Sequence, residues 1–460
     1  MPKHILHGKG IVLPTITGAL TVLSMFAANA HRIGWSELPV PLTLGILTGL
    51  AIYGFFWAIP ITRKGSSITA AVTTACIMLW MVFPWREIAA GIIIVTIVIV
   101  RGLKAERIVQ ANRIMSLVIV AALCVSLGQG IIASIGSKAV VANIDSTIVL
   151  KEKPDIYFIV PDRFASPAAL RESGIDISTF VAKLRELGFY VREDSMSSDA
   201  IQASHRPVET TRTLRFLASV LNMGEEVDID IRRNVASGMV AHHEVGQILK
   251  ANGYTYYHIG SWYEETRTNV EADVVYICPS YTLGDIVSGN EFSTAILERS
   301  ILRYLNFSFA LPNSVTAQTE RNRHLYQLES FKQVVANETN PKFVFVHLML
   351  PHPPYVWTVD GQPQVSRNKG EKELYLEQVQ FAEGYLLGMV ETIQDSNAIV
   401  IIQADEGMCF VEEEGLNESL SQTQWNGVLT AWRIPGTSED SLQDVDTRDI
   451  LRIVLDRLNQ

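Results

Sequence analysis

The sequence predicts an α-helical membrane anchor of five transmembrane helices, followed by an α/β domain whose mostly parallel central sheet is covered by helices. Three observations predict it. The 460 residues are 48% hydrophobic and only 19% charged, too apolar for a disordered chain or a coiled-coil rod. The charge is split, with 11 Lys/Arg and 4 Asp/Glu in residues 1–150 and 27 and 44 in the remainder. After residue 154, near-continuous apolar segments alternate with segments of helical period, the pattern of buried parallel strands joined by amphipathic helices.

The anchor rests on five apolar runs, at 11–30, 41–62, 67–83, 88–100 and 115–135. A helix needs about 20 residues to cross the hydrocarbon, and the first, second and fifth runs meet that length. The fourth is short and needs Trp85 and Arg101 at the interfaces. The first run is not a cleavable leader, because no small-residue cleavage site follows it. Lys3, Lys9, Arg63, Lys64, Arg101, Lys104, Arg107 and Arg113 fall on one side of these spans, and Arg32 and Arg86 on the other. That bias of eight to two places the N-terminus in the cytoplasm of a plasma (inner) membrane. An odd number of spans then leaves the C-terminal domain extracytoplasmic. The expected organisation is a membrane domain over 1–136, a linker over 137–153 and a soluble domain over 154–460. The spans carry no Asp, Glu, Lys or Arg, which disfavours a transporter.

An acidic soluble part excludes general binding to nucleic acid, which rewards clustered Lys/Arg. Four cysteines are too few for a disulfide framework. Cys76 and Cys124 lie in apolar runs, and Cys278 and Cys409 pair only if the fold brings them together.

In the soluble part, Ile156–Val160, Tyr254–Ile259, Phe343–Leu348 and Ile399–Ile402 read as strands. Ile177–Leu187, His243–Ala251 and Leu374–Ile393 read as helices. Ligands in such sheets sit beyond the carboxyl ends of the strands. The residues found there are Asp162, the segment His347 to His352, and Asp405-Glu406-Gly407; Thr213 opens an apolar helical segment. Two carboxylates at strand ends and a hydroxyl at a helix start can converge on one cation, which lowers the hydroxyl pKa and holds a tetrahedral anion. Each also has an ordinary role: Asp as a turn or cap residue, Thr213 as an N-cap, His347 as a hydrogen-bonded core histidine. His352, in a Pro-flanked loop, is the better functional candidate of the two histidines.

Several stretches resemble the sulfatase-like branch of the alkaline phosphatase superfamily, in family order over most of 154–435. PDIYFIVPDRFASPAALRESGIDISTFVAKLRELGFYV resembles its opening strand, metal-binding Asp and first helix. TLRFLASVLNM, LKANGYTYYHIGSWYEETRTNVEAD, FVFVHLMLPHPPYVW, LYLEQVQFAEGYLLGMVETI and AIVIIQADEG resemble later segments. Five spans before such a domain are similar to the architecture of lipoteichoic acid synthases and phosphoethanolamine transferases. The resemblance implies an alkaline-phosphatase-like fold. It also implies that Asp162 and Asp405 bind a metal, that Thr213 is both nucleophile and ligand, and that His352, with His347 more weakly, contacts the substrate. The family's sulfatase nucleophile motif, Cys/Ser-x-Pro-x-Arg, is absent, which favours phosphate over sulfate esters.

The chain departs from the family's Asp-His-Gly by carrying Asp405-Glu406-Gly407. With Glu406 as a ligand the set is all oxygen, which suits Mg²⁺, Mn²⁺ or Ca²⁺ better than Zn²⁺, and one divalent ion is expected, Mn²⁺ or Mg²⁺ ahead of Zn²⁺ or Ca²⁺. SHRPVETTR before Thr213 leaves Thr210 and Thr211 as alternative nucleophiles. The expected partners are the lipid bilayer and a phosphate- or sulfate-bearing envelope glycan or lipid. The expectation is therefore a membrane-anchored, metal-dependent hydrolase or transferase. The alternative is a catalytically impaired protein of the same fold with a binding or scaffolding role.

Overall fold

The structure, a computed structural model, describes residues 10–30, 35–78, 86–136, 148–197, 212–228, 233–279, 292–293, 296, 315–337, 341–366, 368–408, 420–437 and 445–460. It divides into two compact units.

The first unit is helical. Each of the five apolar runs forms a helix, at Val12–Asn29, Pro39–Ala58, Ser66–Met78, Arg86–Gly102 and Ala105–Gly136. Among the described residues, three of them are long and apolar enough to cross a membrane: the first, the second and the last. Ser66–Met78 has 13 residues and Arg86–Gly102 has 17, so among the described residues three of the five expected spans reach a crossing length and two do not. The first two helices meet backbone to backbone. A Cβ on Gly18 would stand 2.0 Å from the Gly45 carbonyl oxygen, and one on Gly49 would stand 2.3 Å from that of Pro14. Small residues permit this approach, which gains dispersion contacts where lipid offers no hydrophobic driving force. Ser24 Oγ and Ser126 Oγ lie 3.0 Å apart and tie the first helix to the last.

The second unit is built on one seven-stranded sheet: β1 Ile156–Pro161, β2 Tyr190–Val191, β3 Thr255–Ile259, β4 Val274–Tyr276, β5 Lys342–Leu348, β6 Ile399–Gln403 and β7 Thr430–Arg433. Their order is β2-β7-β6-β1-β5-β3-β4. β1 runs parallel to both β5 and β6, β3 parallel to β5 and β4, and β7 antiparallel to β6 and β2. The sheet is thus mixed but mostly parallel.

Alternation along the strands makes two cores. Tyr157, Ile159, Val344, Val346, Val400 and Ile402 pack on one face with Phe180, Leu184, Tyr375 and Leu386. Ile156, Phe158, Val160, Phe343, Phe345 and Ile401 pack on the other with Leu214, Leu217, Leu249 and Leu455. Both faces are buried, which explains why these strands read as unbroken apolar runs. The helices Ser178–Glu186, Arg212–Val220, Glu244–Ala251 and Glu371–Val390 supply these cover layers. β6, β1 and β5 are three adjacent parallel strands, so their carboxyl ends open onto one place.

Candidate metal centre

The parallel register fixes which residues meet. Val160 of β1 pairs with His347 of β5, and Ile159 with Ile402 of β6. Asp162 therefore emerges from β1 beside His347, and Asp405 emerges from β6 on the other flank. The ladder continues one step past β1, with the Asp162 N–H donating to the Leu348 carbonyl at 2.8 Å. One ligand atom from each of Asp162, His347 and Asp405 lies within 4.8 Å of the others, and all three residues are buried. His347 Nε2 is 3.5 Å from Asp162 Oδ2. Asp162 Oδ1, Asp405 Oδ2 and His347 Nε2 are buried without a hydrogen-bond partner. Buried polar atoms are ordinarily paired, and three orphans converging from three strands fit a cation.

The electrostatics agree. Burial pushes the Asp405 carboxyl up to about 8, reinforced by the negative charges of Asp162 and Glu406 and opposed by His347 and Thr213. Burial and Glu406 hold Asp162 well above the usual carboxylate range, against the pull of Arg163. Burial lowers His347 to about 4, leaving a neutral imidazole, the form that binds metals. Two carboxylates that resist ionisation beside a neutral imidazole form a donor set that a divalent cation would complete.

Thr213 is the second residue of the helix Arg212–Val220 and is buried. Its side chain lies close enough to the Asp405 carboxyl to help draw that group's pKa down, which places it at the edge of the centre. Thr210, Thr211 and Cys409 lie outside the described residues. Gly407 follows because its backbone passes against the segment 424–427: a Cβ there would stand 2.7 Å from the Trp425 carbonyl oxygen.

Glu406, expected as a ligand, sends Oε1 to Arg163 Nε at 2.5 Å and stands outside the group of three. His347, expected only as a weaker substrate contact, stands within it. The clustered donors are therefore two carboxylates and an imidazole, not oxygen alone, and the all-oxygen argument against zinc does not apply to them. Arg163 was not singled out in the sequence. It takes the left-handed conformation, with φ 65°, and its backbone N–H donates to Asp405 Oδ1 at 3.2 Å. Its place directly after Asp162 was the available signal.

His352 lies in the loop after β5, and its backbone N–H donates to the Asp162 carbonyl at 3.2 Å. Its Nδ1 is 2.5 Å from the Pro353 carbonyl oxygen, an acceptor only, so Nδ1 carries the proton. Burial and the charge of Arg163 hold its pKa well below the ordinary histidine value. The ring meets Trp262 edge-on, with centroids 5.5 Å apart. Nε2 of this neutral ring is an acceptor.

Fold and site together define a mostly parallel α/β domain with a candidate metal centre at the carboxyl ends of three adjacent strands. No protein-family model matches the chain, and no curated protein is similar to it at a significant level. Among solved structures, the chain is similar to the C-terminal periplasmic domain of EcEptC from Escherichia coli in complex with Zn. The identity is 13%, over 68% of this chain and 84% of that one, with a TM-score of 0.41. It is also similar to the integral membrane lipooligosaccharide phosphoethanolamine transferase A from Neisseria meningitidis, with 10% identity over 98% and 91% and a TM-score of 0.40. The lipoteichoic acid synthase LtaP from Listeria monocytogenes is similar at 12% identity over 64% and 70%, with a TM-score of 0.42.

Proposed function

We propose that this protein is a membrane-anchored, metal-dependent hydrolase or transferase of the sulfatase-like branch. It would act outside the cytoplasm on a phosphate ester, less readily a sulfate ester, of an envelope lipid or glycan. The observation that carries the reading is the convergence of three orphaned donor atoms, from Asp162, His347 and Asp405, with Thr213 near enough to Asp405 to act on its pKa. These residues would hold one divalent transition-metal ion, Mn²⁺ or Zn²⁺, which supplies Lewis-acid polarisation of the phosphoryl oxygens and of the attacking hydroxyl. Thr213 attacks phosphorus as the bond to the leaving alcohol breaks, giving phosphothreonine. Water or a second alcohol then attacks that phosphorus and releases Thr213. His352 Nε2, an acceptor, would take the proton that Thr213 loses and pass it to the departing alcohol oxygen, and in the second half take the proton of the entering water or alcohol and return it to Thr213. Arg163 holds Asp405 through its N–H and offsets the charge of Glu406. The eight-to-two loop bias supports five spans with the N-terminus in the cytoplasm.

The test uses the purified full-length chain with Mn²⁺ or Zn²⁺ and a chromogenic phosphodiester. Turnover is expected, with phosphothreonine at 213 trapped by mass spectrometry, and Thr213→Ala is expected to abolish both. Turnover unchanged in Thr213→Ala overturns the role of Thr213. The scaffolding alternative instead requires no stoichiometric metal and no phosphothreonine.

A further inference from the structure

Behind the centre, an unbroken chain of hydrogen bonds crosses the core of the second unit. The Gly246 N–H donates to His243 Nδ1 at 2.9 Å. His243 Nε2 is 3.1 Å from Tyr256 Oη, which is 3.2 Å from His258 Nδ1. His258 Nε2 is 2.8 Å from the Thr266 carbonyl oxygen. An N–H can only donate and a carbonyl can only accept, so the two ends fix every proton between them. His243 carries its proton on Nε2, Tyr256 donates to His258, and His258 carries its proton on Nε2. The low pKa values of both rings, through burial, keep the chain neutral.

The chain ends on the residue whose side chain touches the centre. Thr266 is fully buried, and its Oγ1 lies 2.7 Å from His347 Nδ1. The same Oγ1 lies 2.9 Å from Ser261 Oγ and 3.4 Å from the Tyr263 carbonyl oxygen, so its own proton has acceptors other than His347. We infer that Thr266 is a positioning residue. Its hydroxyl accepts the His347 Nδ1 proton, so that Nε2 presents its lone pair, rather than a proton, to a cation shared with Asp162 and Asp405. The inference rests on the reading of those three residues as metal ligands. A ligating histidine commonly donates its second N–H to such a fixed acceptor, which sets its tautomer and ring orientation. The opposite tautomer would aim an N–H at the ion's place.

The experiment is zinc affinity of the purified full-length chain, measured by competition with a chromophoric chelator. The wild type is expected to bind one equivalent and His347→Ala to lose it. Thr266→Val keeps the shape without the acceptor and is expected to weaken binding about 10–100-fold, and Thr266→Ser to restore most of it. Thr266→Val binding like the wild type, while His347→Ala does not bind, overturns the role of Thr266 and leaves the centre standing. A wild type that binds no zinc, or a His347→Ala chain that binds it as tightly, overturns the centre itself. Should Thr266→Val fail to fold, ¹⁵N-histidine spectra of the zinc-loaded wild type decide. A proton on Nδ1 of the ring that disappears in His347→Ala supports the inference, and a proton on Nε2 overturns it.

Discussion

Arg163 Nε and Glu406 Oε1 lie 2.5 Å apart, and both side chains are largely buried, at 15% and 10% exposure. The contact joins the second residue after β1 to a residue after β6 across 243 positions of sequence. Removing one member of a buried pair strands the other charge, at a cost of about 3–5 kcal/mol. Arg163→Ala is therefore expected to lower the denaturant midpoint of the second unit, and Glu406→Gln, which keeps the shape and a hydrogen bond, to lower it less. Glu406→His puts an imidazole beside Asp405 and takes the Glu406 carboxylate away from the Arg163 guanidinium. It is expected to cost stability without tightening zinc. Zinc titration beside urea unfolding checks both; tighter binding in Glu406→His would show that position 406 reaches the ion.

The buried histidine chain sets an acid limit on stability. His243 faces Tyr256 Oη, the Gly246 N–H, the Phe343 ring and the charges of His242 and His258. His258 faces Tyr256 Oη, the Thr266 carbonyl, the Phe345 ring and His347. Burial lowers the first to about 3 and the second to about 4. An unfolded histidine titrates near 6.5. Below that pH the unfolded chain binds more protons than the native one, so stability falls as pH falls. Their contribution is intact above 6.5 and drains between there and the lowered values, by about 1.4 kcal/mol per pH unit for each ring. Urea midpoints at pH 7 and pH 5.5 measure this, and His243→Asn is expected to flatten the decline.

The strands that build the centre were legible because burial on both faces leaves few polar residues within them. Ile156–Pro161, Lys342–Leu348 and Ile399–Gln403 contain hardly any interruption. Tyr190–Val191 and Val274–Tyr276 were not, since two or three residues carry no period. The helix Val315–Ala336 also escaped, because it buries Glu320, Arg323, His324 and Gln327 in place of an apolar stripe. The same logic divides the site. Asp162 and Asp405 stand out as charges directly after apolar runs. His347 sits inside such a run, where a core histidine is the commoner role, and only its pairing with Val160 brings it beside Asp162. Glu406 looked like a ligand from its neighbour, and its partner Arg163 is a tertiary fact.

In the first unit, the contact of Val12–Asn29 with Pro39–Ala58 depends on three missing side chains, those of Gly18, Gly45 and Gly49. A Cβ on Gly45 would stand 2.6 Å from the Gly18 carbonyl oxygen, backbone that cannot step aside. Gly45→Val is therefore expected to separate the helices and lower the unit's thermal midpoint in detergent, with an overpacking cost of about 1–3 kcal/mol. Gly54, in the same helix, has nothing within 4 Å of a Cβ, and Gly54→Ala is expected to leave the midpoint unchanged. Equal effects at the two positions would mean that helix propensity, not packing, sets the response.

Asp162 separates a functional centre from a structural one. Its Oδ1 is buried without a partner, beside Asp405 Oδ2 in the same condition, so the cation-free protein carries two carboxyls that burial penalises. Sites of this kind trade stability for function. Asp162→Asn keeps the shape, removes the like charge beside Asp405, and replaces a strong ligand by a weak one. In the presence of a chelator its melting temperature is expected to exceed that of the wild type, by an amount worth about 0.5–2 kcal/mol. With zinc the order is expected to reverse, because ligand binding to the native state stabilises only the chain that binds. Scanning calorimetry of both chains, with zinc and with chelator, reads the crossing directly. If Asp162→Asn is the less stable under both conditions, Asp162 is a structural residue and the metal centre is lost with it.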